Sequence, residues 1–180
     1  DYRGPEFGWA PMPDQYVVDY IVRGEIQRRR QPLFIEFVLV SSHAPFNRQP
    51  PYLDDWNRIG NGAVYHDLQP LEFPVTWPDL ANAAPAYMAA LTYDWRVLTE
   101  FCAAMVPGAA LVIILGDHQP NLKITGDGQP WSVPVHVISR RPDFVEPFVQ
   151  SGYQPGLIPD QPLPHRGIES LLWDLLEAFS

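Results

Sequence analysis

Cysteine is nearly absent from this 180-residue sequence, Cys102 being the single one. No intramolecular disulfide is possible, and a cysteine-built zinc finger is excluded. Long apolar runs are absent as well. The longest are residues 33–40, interrupted by Glu36, and residues 109–115. Both fall well short of the ~20 residues that span a bilayer. Basic residues are scarce: 12 Lys and Arg stand against 21 Asp and Glu, for a net charge of −9. A chain this acidic repels phosphates and is not expected to bind nucleic acid. The one basic run, Arg28-Arg29-Arg30, is too short to act as a binding arm. The first residues, Asp-Tyr-Arg-Gly-Pro-Glu, lack the basic start and apolar run of a signal peptide. Glycine-rich phosphate loops and the G-x-S-x-G elbow are not found either.

What the chain does have is proline, 21 residues of it, about twice the usual ~5% share. Much of the backbone is therefore expected to be irregular, because proline fixes φ and removes an amide donor. Hydrophobic residues make up 46%, which is globular. The length fits one domain, residues 1–180, with a long Pro-rich loop at 44–80 inside it.

Asp14 after Pro13 reads as a helix N-cap. Tyr16, Val17, Tyr20, Ile21 and Ile26 then follow at near-helical spacing, which predicts a helix over 14–29 ended by Pro32. Residues 33–40 are β-branched and aromatic and read as a buried strand. Short edge strands are expected at 64–68 and 73–77. Tyr87, Leu91, Leu98, Phe101 and Met105 predict a long helix over 83–105, stopped by Pro107-Gly108. Residues 109–115 hold no polar side chain, the pattern of a central strand covered on both faces. A third strand is expected at 133–139. A short helix follows at 143–150, then a closing helix at 167–179 with Ile168, Leu171, Leu172, Leu175 and Leu176 on its apolar face. The order predicts an α/β fold: a mostly parallel sheet flanked by helices, with strands 33–40 and 110–115 joined by a right-handed crossover. Their C-terminal ends then share the edge where ligands bind in open α/β folds.

Each of those strands runs into a histidine. Ser41-Ser42-His43-Ala44-Pro45-Phe46 follows the first, and Gly116-Asp117-His118-Gln119-Pro120 the second. A carboxylate beside an imidazole suits Zn²⁺ or Mn²⁺, and a turn capped by Asp117 accounts for the same two residues. His66, His136 and His165 are read as surface or structural. Cys102 is read as a small core residue and Asp94 as a solvated helix residue; Tyr87, Tyr93 and Trp95 are read as packing.

Residues 33–46, with their S-H-x-P-F segment, resemble the sulfatase-like branch of the alkaline phosphatase superfamily, closest to lipoteichoic-acid-synthase and phosphoethanolamine-transferase type enzymes. Tyr93-Asp94 is similar to that family's Y-x-D helix, and Leu111 to His118 to its V-I-x-x-G-D-H hallmark. Residues 133–137 and 167–176 are similar to its later strand and closing helix. The resemblance implies the C-terminal portion of an alkaline-phosphatase-like fold, from a metal-dependent phosphate or sulfate ester hydrolase or phosphoryl transferase. It implies Asp117 and His118 as metal ligands and His43 as the group contacting the transferred phosphoryl or sulfuryl. The metal is Mn or Zn by preference, with Mg and Ca open, and the substrate is an anionic ester. The parent is expected to be membrane-associated, on the periplasmic or extracellular face. The family's nucleophile lies well upstream of S-H-x-P-F, whereas residues 1–40 contain no Ser or Thr. Cys102 lacks the C-x-P-x-R pattern of a modified-cysteine nucleophile. The chain is therefore expected to lack the N-terminal half of the domain and to be inactive alone. The alternative is a binding or interaction module that keeps a remnant of the fold without its chemistry.

Overall fold

The computed structural model describes residues 1–160 and 163–180. The chain divides into two compact units. Unit 1 comprises Asp1–Val106 and Asn121–Gly126; unit 2 comprises Pro107–Pro120 and Asp127–Ser180.

Unit 1 is built on two helices. Helix α1 runs Asp14–Ile21 and continues as one π-helical stretch, Val22–Ile26. Helix α2 runs Ala83–Glu100 and ends in a second π-helical stretch, Phe101–Met105. Buried positions on α2 recur at Ala83, Ala86, Ala90, Tyr93, Val97 and Phe101. These steps of three and four draw one stripe along the helix. Its alanine half admits a close cluster of Phe46, Val75 and Leu80. Its large half packs on Tyr16, Val18, Val22, Trp56, Ile59 and Tyr65. The Pro-rich stretch wraps this core with short 3₁₀ turns, Trp56–Arg58 and Ala63–Asp67. It also holds a two-residue antiparallel ladder of β1 (Arg48–Gln49) with β2 (Leu71–Glu72). The one-turn helix α3, Leu122–Thr125, completes unit 1.

Unit 2 has an antiparallel pair, β3 (Leu111–Leu115) with β4 (Val135–Ser139), Leu111 opposite Ser139. Helices α4 (Pro142–Gln150) and α5 (Ser170–Ala178) follow. Phe148, 1% exposed, is its one buried hydrophobic residue among those described.

The expected mostly parallel α/β sheet is not what forms. Among the described residues both sheets are two-stranded and antiparallel. Residues 33–40 are not a strand. Ile35, Phe37 and Leu39 alternate inward onto the helical core of unit 1, while Phe34, Glu36 and Val38 face solvent. The period of two is real, but helices rather than a second strand receive its apolar face. The expected edge strands fail for a related reason: 63–67 coils into a 3₁₀ turn, and the ladder forms at 71–72 instead of 73–77. The long helix, the strand at 135–139 and the helix at 142–150 fall where periodicity put them.

Candidate functional site

His43 lies in unit 1 and is exposed. Its ring stacks on Trp9 with centroids 4.0 Å apart. Its Nδ1 lies 2.7 Å from the Ala44 carbonyl, so in the neutral ring Nδ1 donates and Nε2 is left as an acceptor. Asp117 and His118 lie in unit 2, on the turn after β3. Their side chains are 78% and 73% exposed, with Asp117 Oδ2 3.4 Å from His118 Nε2. Asp117 Oδ1 also accepts from the His118 amide at 2.9 Å. The carboxylate thus caps its own turn. Among the described residues, no three His, Cys, Asp or Glu side chains gather as a group that could hold a metal ion. His136 sits in β4 opposite Ile114, and burial lowers its pKa. His66 takes the Arg3 carbonyl at 3.0 Å.

The most elaborate polar cluster of unit 1 is built on Asp14 and Asp94. Asp14 does not cap α1, whose N-cap is Pro13. Its carboxylate reaches across to residues 40–41 instead, accepting the Val40 amide at 3.0 Å and the Ser41 amide at 2.7 Å. This fixes the unpaired end of the extended segment, whose amides have no ladder partner. Asp94, read from sequence as solvated, is 5% exposed. Burial first, and then the charge and hydrogen bond of Asp14, push its pKa up to about 8, against the opposing bonds donated by Ser42. Its Oδ1 is buried without a hydrogen-bond partner. Beside the pair, the Gln15 side chain clamps Leu53, donating to its carbonyl at 2.7 Å and accepting its amide at 3.0 Å. The Tyr93 hydroxyl accepts the Gln15 amide, and the Tyr65 hydroxyl donates to Gln15 Oε1. One signal for Asp94 was available: it stands four residues after Ala90 and three before Val97, on the buried face of α2.

Unit 2 shows the reverse of an ordinary surface. No residue of β3 or β4 is fully buried. Of the expected apolar face, Ile168, Leu172 and Leu176 are exposed and Leu171 and Leu175 are half-buried, while Trp173 on α5 and Phe179 just after it also face solvent. The buried residue of that helix is Asp174, which accepts from Arg166 at 2.8 Å and from the Tyr153 hydroxyl at 3.1 Å.

No family model, no curated protein and no solved structure matches the chain. The resemblance to the sulfatase-like branch is therefore not upheld. That fold rests on a large parallel sheet, whereas the described residues build two small antiparallel ones. With it fall the reading as the C-terminal part of a phosphate or sulfate ester hydrolase or transferase, and the alternative of a remnant of that fold. The enzyme assignment and the anionic ester substrate rested on the same resemblance and fall too. Among the described residues, no helix is long and apolar enough to cross a membrane.

Proposed function

We propose that the chain is a protein-interaction module that accepts an extended strand of a partner polypeptide onto the sheet of unit 2. One observation carries this: Leu111–Leu115 has no polar side chain, pairs on one side only among the described residues, and has no fully buried residue. A two-stranded ribbon is marginal in water, and its unpaired edge is a template for another strand. The outward apolar stripe of α5 lies in the same unit and gives a partner further surface to cover. Charge narrows the occupant. Unit 2 carries three arginines against eight carboxylates, which disfavours a second copy and favours a strand flanked by lysine or arginine.

The probe is a short synthetic peptide of alternating valine and threonine with lysines at both ends. Amide exchange at residues 111–115 is expected to slow on adding it, more at low salt than at high. Ile113→Lys is expected to abolish the effect without altering exchange in unit 1. A peptide N-methylated at alternate amides cannot complete the ladder; if it protects β3 equally, or if neither peptide does, strand acceptance is wrong.

A further inference from the structure

Residues 33–39 of unit 1 have the form of an edge strand without a neighbour. Ile35, Phe37 and Leu39 fix one face to the core, and the Asp14 carboxylate holds the Val40 and Ser41 amides at the far end. Between that clamp and Pro32, no backbone N–H or C=O of residues 33–39 makes a hydrogen bond among the described residues. A half-buried extended segment with an unmade ladder is the form to which a further strand adds. The fold has already ordered it, which lowers the entropy cost of pairing.

The outward face sets what lies beside it. Phe34 and Val38 are 88% and 69% exposed, and Glu36 stands exposed between them. An uncharged, β-branched stretch covers the two apolar side chains, whereas a carboxylate opposite Glu36 is repelled. Two copies of this chain pairing antiparallel about residue 36 would set Glu36 against Glu36, so a second copy is the poorer occupant.

At the Pro32 end lies an open groove of about 430 Å³, lined by Arg28, Arg29, Arg30 and Leu33, with Glu25 at its side. All three arginines are exposed. Arg29 Nη1 donates to the Ile26 carbonyl at 2.7 Å, which leaves its charge uncompensated. Arg23, Arg48, Arg96, Lys123, Arg141 and Arg166 each sit on a carboxylate. None of Arg28, Arg29 and Arg30 forms an ion pair with a described residue. Guanidinium groups pair carboxylates two-pronged. Glu25 disfavours the concentrated double charge of a phosphate in this groove, and the net charge of −9 repels an anionic membrane.

We propose that the edge of residues 33–39 accepts an extended acidic peptide, whose backbone completes a ladder and whose terminal Asp or Glu side chains pair with Arg28, Arg29 and Arg30. The site lies in unit 1, calls for a partner of opposite charge to that of unit 2, and stands whether or not unit 2 accepts a strand.

The test is an amide-resolved NMR titration of the full chain. The probe is the alternating valine–threonine peptide with glutamates at both ends, so that one end meets the arginines in either direction. Saturable shifts are expected across residues 28–39, with slowed exchange at alternate amides of 33–39 and weaker binding at high salt. The lysine-ended peptide, and the glutamate-ended peptide N-methylated at alternate amides, are each expected to bind at least about tenfold more weakly, the equivalent of about 1.4 kcal/mol. Arg28→Gln combined with Arg30→Gln is expected to weaken the acidic peptide by a similar factor and to flatten its salt dependence. Equal binding of the lysine-ended peptide, or no loss in the double variant, would overturn the acidic partner. Equal binding of the N-methylated peptide would overturn the ladder. Shifts at these residues that grow with protein concentration alone would assign the edge to a second copy, and a response only to phosphatidylserine vesicles would assign it to a lipid surface. Either result overturns the peptide, as does the absence of any saturable response.

Discussion

Asp94 ties the stability of unit 1 to pH in an unusual direction. Most buried carboxylates are stabilised by cations or amides and lose stability in acid. Asp94 instead faces Asp14 in a buried setting, and its pKa rises from 3.8 to about 8. Between those values the folded chain keeps a proton that the unfolded chain has released. Folding stability is therefore full below about pH 4 and declines as pH rises through about 8. One such group gives a slope approaching about 1.4 kcal/mol per pH unit inside that window. Asp19, raised chiefly by burial against the pull of Arg23, adds in the same direction near the acid end. His136, lowered by burial, acts oppositely below its ordinary value of 6.5, but it belongs to unit 2.

Asp94→Asn removes the titrating group while keeping shape and an N–H donor toward Asp14. Urea midpoints followed by tryptophan fluorescence across this range are the assay. The wild type is expected to lose stability steadily from pH 5 to 8 and the variant to stay nearly flat. The two should be within about 1 kcal/mol at the acid end, with the variant the more stable at the alkaline end. Parallel slopes for the two proteins, or wild-type stability rising with pH in this window, would refute a raised pKa at Asp94.

Other perturbations separate the remaining contacts. Gln15→Met should cost at least about 2 kcal/mol in chemical denaturation, because it strands the buried Leu53 amide and carbonyl together. Phe148→Ala should cost about 3–5 kcal/mol and, in a unit with so thin a core, abolish the slowly exchanging amides of β3 and β4 while those of α2 persist. Asp174→Asn should weaken the Arg166 and Tyr153 contacts of α5 by about 1–3 kcal/mol, read as faster exchange in residues 170–178; Asp174→Glu should restore part of it.

Local periodicity was legible wherever one helix or strand decides its own form. The spacing of Tyr87, Leu91, Leu98, Phe101 and Met105 made α2 readable, although the stripe it buries runs through Ala90, Tyr93 and Val97, and Pro107-Gly108 ended it close to where it ends. What periodicity did not contain was the partner of each apolar face. Residues 33–40 alternate as a strand does, yet Ile35, Phe37 and Leu39 meet helices, and the amides of Val40 and Ser41 go to Asp14 rather than to a neighbouring strand. His43 and the Asp117–His118 pair were read as one site because two strands were expected to end on one edge. In the structure they belong to different units. Asp14 and Asp94 were hidden for another reason: an aspartate at a helix start or mid-helix is ordinary, and only its burial beside a second carboxylate makes it chemical.

The apolarity of Leu111–Leu115 was read as a sign of cover on both faces, and that physical premise survives the loss of the parallel sheet. Five consecutive aliphatic residues left half-exposed cost stability that one antiparallel partner, β4, does not recover. Helix α5 makes the same point from the other side, burying its aspartate and presenting leucines, a tryptophan and a phenylalanine outward. A polar residue is buried there because Arg166 and Tyr153 satisfy it, so the outward stripe is not an inverted helix awaiting rotation: turning the leucines inward would strand Asp174 with no partner. The exposed apolar surface of unit 2 is thus held outward by the part-buried hydrogen bonds of Asp174, and this is the surface on which the proposed strand acceptance rests.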